Sequence, residues 1–243
     1  MSFRLIYEMA APREPDLKKV TRQIEIFGPI VDSIFVPDNH LGLPAMSSLA
    51  ISLEILDRGF KPIVGMNARD RNQLRLASDL ITLKAYGIDE VMFLYGDPVK
   101  EGRSDLNVRR MLSDESARGF RRGVAAVIGK PLGWRDQADF FMTQLAFGRV
   151  GVAPWKESIG LVQPMYCGVI ALRDEAMARR VFDKIPELQA PPGYLDRFSS
   201  DGEAGFTAAL DEMDSLRESG IGGAQIVVPA GWKRFAKMLE NWK

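Results

Sequence analysis

Short runs of apolar residues, each followed by a longer stretch of helical period, recur along the chain. The runs are "FRLIYE" (3–8), "DSIFV" (32–36), "KPIVG" (61–65), "EVMFLYG" (90–96), "GVAAVI" (123–128), "DFFMTQLAF" (139–147), "LVQPMYCGV" (161–169) and "GAQIVV" (223–228). Near-continuous apolar runs rich in β-branched and aromatic residues suit strands buried on both faces, as in a parallel sheet. Eight of them, alternating with helices, predict a single (β/α)8 TIM-type barrel over residues 1–243.

The helical stretches are 14–28, 44–59, 69–87, 104–119, 172–185, 203–220 and 232–242. In the third, Leu74, Leu76, Leu80, Ile81, Leu83 and Ala85 suggest a broad apolar face ending at Gly87. Between strands 5 and 6, "GKPLGWRDQA" is too short and too rich in Gly and Pro for an ordinary crossover helix, so a shortened unit is expected there.

Composition narrows the partners. Lys plus Arg and Asp plus Glu each total 32, which argues against nucleic acid or an anionic membrane surface. The one cysteine, Cys167, excludes an intramolecular disulfide and a cysteine-based metal cluster, and suits a reducing cytoplasm. The N-terminal apolar run is too short for a signal peptide's core, and no stretch reaches the length of a membrane span, so a soluble, cytoplasmic protein without a metal centre is expected.

In a barrel of this type, chemistry sits at the C-terminal ends of the strands. The sequence puts Glu8, Asn39, His40, Asn67, Asp97, Lys130, Gln144, Gln163 or Tyr166, and Pro229 at those ends. A carboxyl at Glu8, partly withdrawn from water, would gain a raised pKa and suit a general acid; a structural pairing with Arg13 is the alternative. Asp97, before the turn-forming Pro98, fits either a ligand contact or an Asx turn. Gln144, an amide in an apolar run, needs a partner if buried: inward it would read the donor and acceptor edge of a heterocycle, outward it would bond a loop. His40 could orient a base or a metal with Asp38 and Asn39, or lie in solvent as a loop residue. Tyr95 and Trp134 are candidate stacking surfaces for a ring, or simple packing residues.

Several of these segments, in order, resemble the methylenetetrahydrofolate reductase family. "YEMAAPRE" is similar to its N-terminal glutamate motif, "PIVGMNARDRNQLRLASDLITLKAYGIDEVMFLYGDP" to its third and fourth units with the Gly-Asp-Pro signature, and "DFFMTQLAF" to its Gln-containing strand. The resemblance implies an eight-stranded barrel that reduces methylenetetrahydrofolate in one-carbon metabolism. It implies Glu8 as the acid that protonates the bridging aniline nitrogen, Asp97 beside the pterin, and Gln144 on the pterin's amide edge; Asn67 is added as a neighbouring substrate contact from its strand end, and Tyr95 as a ring that could stack on the pterin.

The chain departs from the flavin-containing members at four places. Gly65 stands where they have a histidine, "IGKP" (128–131) replaces a His-Pro-Glu element, Pro37 replaces a threonine, and Tyr95 an arginine. The resemblance therefore implies NAD(P)H as hydride donor with FMN or FAD doubtful. Folate-dependent methyl transfer remains open, as does a non-catalytic pterin-binding subunit that works in a homo-oligomer or with a partner.

Overall fold

A computed structural model describes residues 2–96, 105–146, 152–184, 192–198 and 203–243. Its strands are β1 (Arg4–Glu8), β2 (Ser33–Val36), β3 (Pro62–Asn67), β4 (Glu90–Leu94), β5 (Arg121–Ala126), β6 (Phe140–Leu145), β7 (Met165–Ile170) and β8 (Gly223–Val227). All pair in parallel, each with the next, and β8 closes on β1, so the sheet is the expected closed barrel.

The helices are α1 (Leu17–Phe27), α2 (Ser48–Asp57), α3 (Gln73–Ala85), α4 (Val108–Leu112), α5 (Val152–Ser158), α6 (Glu175–Lys184), α7 (Ala204–Glu218) and α8 (Trp232–Trp242). As expected, β5 and β6 are joined by a short 3₁₀ segment, Gly133–Gln137, in place of a crossover helix.

Strand alternation sorts the core into layers. Leu5, Tyr7, Ile34, Val36, Val64, Met66, Val91 and Phe93 face outward and pack with the helices. Ile6, Phe35, Ile63, Met92, Phe140, Met142 and Tyr166 face inward and fill the barrel. Inside, Gly123 makes room for Phe140: a Cβ there would lie 2.2 Å from the phenyl ring.

Four expectations are corrected. On α3 only the stripe Leu76, Leu80 and Leu83 is buried, at i, i+4, i+7; Leu74 and Ile81 lie on a second, exposed stripe, and the buried polar member of the face is Asp79, held by Arg71 and Arg75. The stretch 104–119 breaks into α4 and a 3₁₀ turn, Glu115–Ala117, capped by Asp114. Helix α5 was not among the expected helices; its Pro154 lies in the first turn, where the missing N–H has no intrahelical partner to lose. Strand β7 begins at Met165, four residues later than the apolar run suggested. That moves Tyr166 to the N-terminal end of the barrel, and Gln163 into the preceding loop, where it donates to Asp136.

Candidate functional site

Glu8 ends β1 at the C-terminal mouth, and its backbone is held by a clamp from α1. Gln23 is 0% exposed; its Oε1 accepts from the Tyr7 hydroxyl at 2.7 Å and from Ala10 N–H at 3.0 Å, while its Nε2 donates to Ala10 C=O at 3.1 Å. Met9 N–H also donates to Phe35 C=O, tying the chain beyond Glu8 to β2. Tyr7 stacks on Phe27 with centroids 3.9 Å apart, so both sides of the acid's strand are fixed.

The Glu8 carboxyl accepts a hydrogen bond from Gln225 Nε2. Burial pushes its pKa above the ordinary carboxylate value, and the charge of His40 together with the Gln225 amide pulls the other way without cancelling the rise. The group is thus biased toward a neutral acid that has two ready stabilisers for its anion. His40 itself is exposed and lies in a tight 3₁₀ turn, His40–Gly42, between Asn39 (φ 46°) and Leu41 (φ 61°). Asn39 anchors this loop by donating to Asp70 at 2.6 Å and accepting from Ala45 N–H at 3.2 Å.

Asn67, 4% exposed, ends β3 and is committed to the loop after β2: its side-chain amide donates to Asp38 C=O, and its backbone N–H donates to Asp38 Oδ2 at 3.0 Å. Asp38 is in turn salt-bridged to Arg71. The same loop lies on Gly65, where a Cβ would sit 2.6 Å from Val36 O and 3.2 Å from Asp38 N. Backbone therefore occupies the space that a side chain at position 65 would need.

On the far side of the mouth β6 carries a β-bulge. Met142 pairs with Tyr166, but Leu145 pairs with Gly168, so one extra residue of β6 opposes β7. The Thr143 hydroxyl sits in the gap, accepting from Gly168 N–H at 3.4 Å and donating to Gln144 C=O at 2.8 Å. Bulges of this kind re-aim a side chain, and Gln144 emerges exposed. Beside it, Ala125 of β5 is exposed although it lies within a strand, and Tyr95, just past β4, is half-exposed. Over β7 and β8, Ile170 and Leu172 pack with Met177, Tyr194 and Phe198, with Val227 against them, to form an apolar wall.

Glu8, Gln225 and His40 are thus brought together, and Gln144 and Ala125 share the mouth's opposite rim, while Tyr95 follows β4 on the side of the outward-facing Phe93. Asp97 lies outside the described residues. Lys130 falls in an exposed turn past β5, where its C=O accepts from Trp155. Trp134 packs on the outer core, with the Arg135 guanidinium 4.8 Å from its ring centre. The sequence reading passed over Gln225, although the signal that singled out Gln144, a glutamine inside an apolar run, is equally present in "GAQIVV". Among the described residues no cluster of three His, Cys, Asp or Glu could hold a metal, and burial pushes the Cys167 thiol up to about 12, too high for a thiolate nucleophile near neutral pH.

The opposite end of the barrel is polar in another way. Arg4 bonds both oxygens of Glu90, at 3.0 and 2.8 Å; Arg121 bonds Glu90 at 2.6 Å and the Tyr166 hydroxyl at 2.8 Å. A cleft of about 800 Å³ opens around this network, with Lys61 and Asp89 at its edges. Its arginines are already engaged by groups of the protein itself, which marks the network as the barrel's floor.

No protein-family model matches the sequence, and no curated protein matches it. Solved structures do resemble it in fold. An uncharacterized protein from Clostridium thermocellum that binds two copies of 5-methyl-5,6,7,8-tetrahydrofolic acid superposes with a TM-score of 0.68 at 13% identity, covering 100% of this chain and 96% of that one. An F420-dependent secondary alcohol dehydrogenase, solved with an F420-acetone adduct, gives 0.61 at 13% identity, covering 98% of each chain. At such identities the likeness establishes the (β/α)8 barrel over the whole length.

Proposed function

We propose that the protein binds a tetrahydrofolate-type pterin in the C-terminal mouth and reduces its methylene group to methyl, with Glu8 as general acid. The observation that carries this reading is a carboxyl at the end of β1, at the C-terminal mouth, whose protonated form is favoured by burial. The protein from Clostridium thermocellum, with the same fold, binds a methylated reduced folate, and the dehydrogenase of that fold is an oxidoreductase; both support a pterin ligand and redox chemistry.

The proton on Glu8 passes to the aniline nitrogen as the imidazolidine C–N bond breaks, leaving a methylene iminium on the other nitrogen. A hydride from an external donor then adds to the methylene carbon and gives the methyl group. Proton plus hydride balance the two-electron reduction. The carboxylate left on Glu8 faces the cationic iminium, an attraction that grows as charge develops. Gln144, on the opposite rim, suits the amide edge of the pterin, and Tyr95 a stacking role; Asp97 is proposed as a second carboxylate beside the pterin. Asn67 acts on this site by holding the Asp38 loop.

The residues do not reproduce the flavin-holding pattern. With Gly65 covered by the backbone of 36–38, the histidine of flavin-containing members has no room, so no step is assigned to a flavin. A reduced nicotinamide is the proposed donor, and reduced F420 is the second candidate because a barrel of this fold uses it. The test mixes purified protein with methylenetetrahydrofolate and each donor in turn, without flavin, and follows donor absorbance and methyltetrahydrofolate formation. Turnover by wild type that Glu8→Gln lacks supports the reading. Absence of turnover with every donor, in a protein that still binds methyltetrahydrofolate, moves it to methyl transfer or a binding role.

A further inference from the structure

We infer that Gln225 is a positioning residue for the acid: its side-chain amide aims the Glu8 carboxyl into the mouth and receives the carboxylate formed when the proton leaves. The inference rests on the reading of Glu8 as the general acid.

The strand register makes the contact specific. In the parallel β1–β8 pair, Gln225 lies beside Ile6, and Glu8 lies beside Val227, so the amide is one inward layer below the carboxyl and reaches up to it along the barrel wall. Gln225 is 9% exposed, in the run Gly223–Val227 whose other members are apolar. An amide buried among apolar residues costs stability unless it is hydrogen-bonded, and a hydrophobic side chain of similar size would fill the same space without that cost. Its donor goes to Glu8. The residue on the neighbouring strand thus has a polar end serving the acid and an apolar stem serving the core.

Charge sharpens the point. His40, on the loop after β2, acts on the same carboxyl from the other side. An N–H on one flank and the charge of His40 on the other both favour the anion, so each lowers the cost of releasing the proton, while burial raises that cost. The amide also fixes one carboxyl oxygen, leaving the second oxygen to carry the proton toward the substrate.

The test separates this role from the proposed reaction. Protein labelled with ¹³C at glutamate carboxyls is titrated by NMR, the Glu8 signal being assigned by its disappearance in Glu8→Gln. Replacement of the near-isosteric Gln225→Met should raise the Glu8 midpoint by about one pH unit, the size expected for loss of a hydrogen bond to a charged group. Gln225→Asn, which withdraws the donor by one methylene yet stays polar, should shift it the same way and stands in if Gln225→Met folds poorly. In turnover, both variants should lose about tenfold in kcat with little change in KM. A midpoint that stays put in a folded variant overturns the inference, because a purely structural glutamine would leave Glu8's titration alone. A shifted midpoint in a protein that turns over no pterin leaves the positioning intact and removes the proposed reaction instead.

Discussion

The two ends of this barrel present polar side chains on the same inward-facing strand positions, yet they finish their hydrogen bonding differently. At the floor, Glu90 takes both arms of Arg4 and one of Arg121, Arg121 turns its other arm to Tyr166, and Arg4 also reaches Ser33. Five strands are laced by groups that satisfy each other. At the mouth, Glu8 has an amide on one side and an imidazole nearby, and Ala125 and Gln144 face solvent across from it. Glu90 is answered by two guanidiniums, whereas the Glu8 carboxyl is answered by an amide, and burial favours its protonated form. The difference between floor and mouth is therefore one of partners, and on the proposed function it divides scaffold from site.

The sharpest way to break the comparison is to exchange the expected losses. Glu8→Gln should cut turnover by about 10²–10⁴-fold, the range for removal of a general acid, without loss of thermal stability. Glu90→Ala should do the reverse: two partly buried guanidiniums lose their shared anion, which costs about 1–3 kcal/mol, read by denaturant unfolding, while kcat of the folded fraction is retained. Should Glu90→Ala abolish turnover in a stable protein, the floor is part of the site.

Gln23→Leu tests the clamp beneath the acid. It strips partners from the Tyr7 hydroxyl and from both backbone groups of Ala10, at a cost of about 2–3 kcal/mol. Because Ala10 follows the strand that ends in Glu8, a fall in kcat should accompany the loss of stability.

A smaller effect lies in the pH dependence of folding. With its folded value raised above the unfolded 4.5, Glu8 contributes most to stability below that pH, and the contribution drains away as pH rises through the folded value, because the unfolded chain sheds the proton first. Melting curves of wild type and Glu8→Gln should therefore diverge as pH climbs above 4.5, the variant becoming relatively more stable. Parallel curves would show that burial does not favour the protonated acid.

Much of the frame was legible in the sequence because parallel strands buried on two faces leave dense apolar runs, and the shortened unit at 129–138 announced itself by composition. Glu8 was legible as an acid at a strand end. What resisted was register and long-range pairing. A shift of four residues at the start of β7 carried Tyr166 from mouth to floor, and Arg4 meets Glu90 across 86 residues, a distance over which local periodicity says nothing. The bulge at Thr143 is also a property of the pair β6–β7, so the exposure of Gln144 could not be decided from its own strand. The face of α3 misled because Leu74 and Ile81 have the chemistry of core residues without the angular position.

The central claim is that the pterin site lies at the mouth and the floor is scaffold. The direct measurement is calorimetric titration of 5-methyltetrahydrofolate into wild type, Ala125→Leu and Lys61→Glu, the first change filling the open rim and the second reversing a charge at the floor cleft, both on exposed side chains. Binding by wild type that Ala125→Leu weakens at least tenfold and Lys61→Glu leaves unchanged is the predicted result. Binding that Lys61→Glu destroys and Ala125→Leu spares would contradict it and place the ligand at the floor.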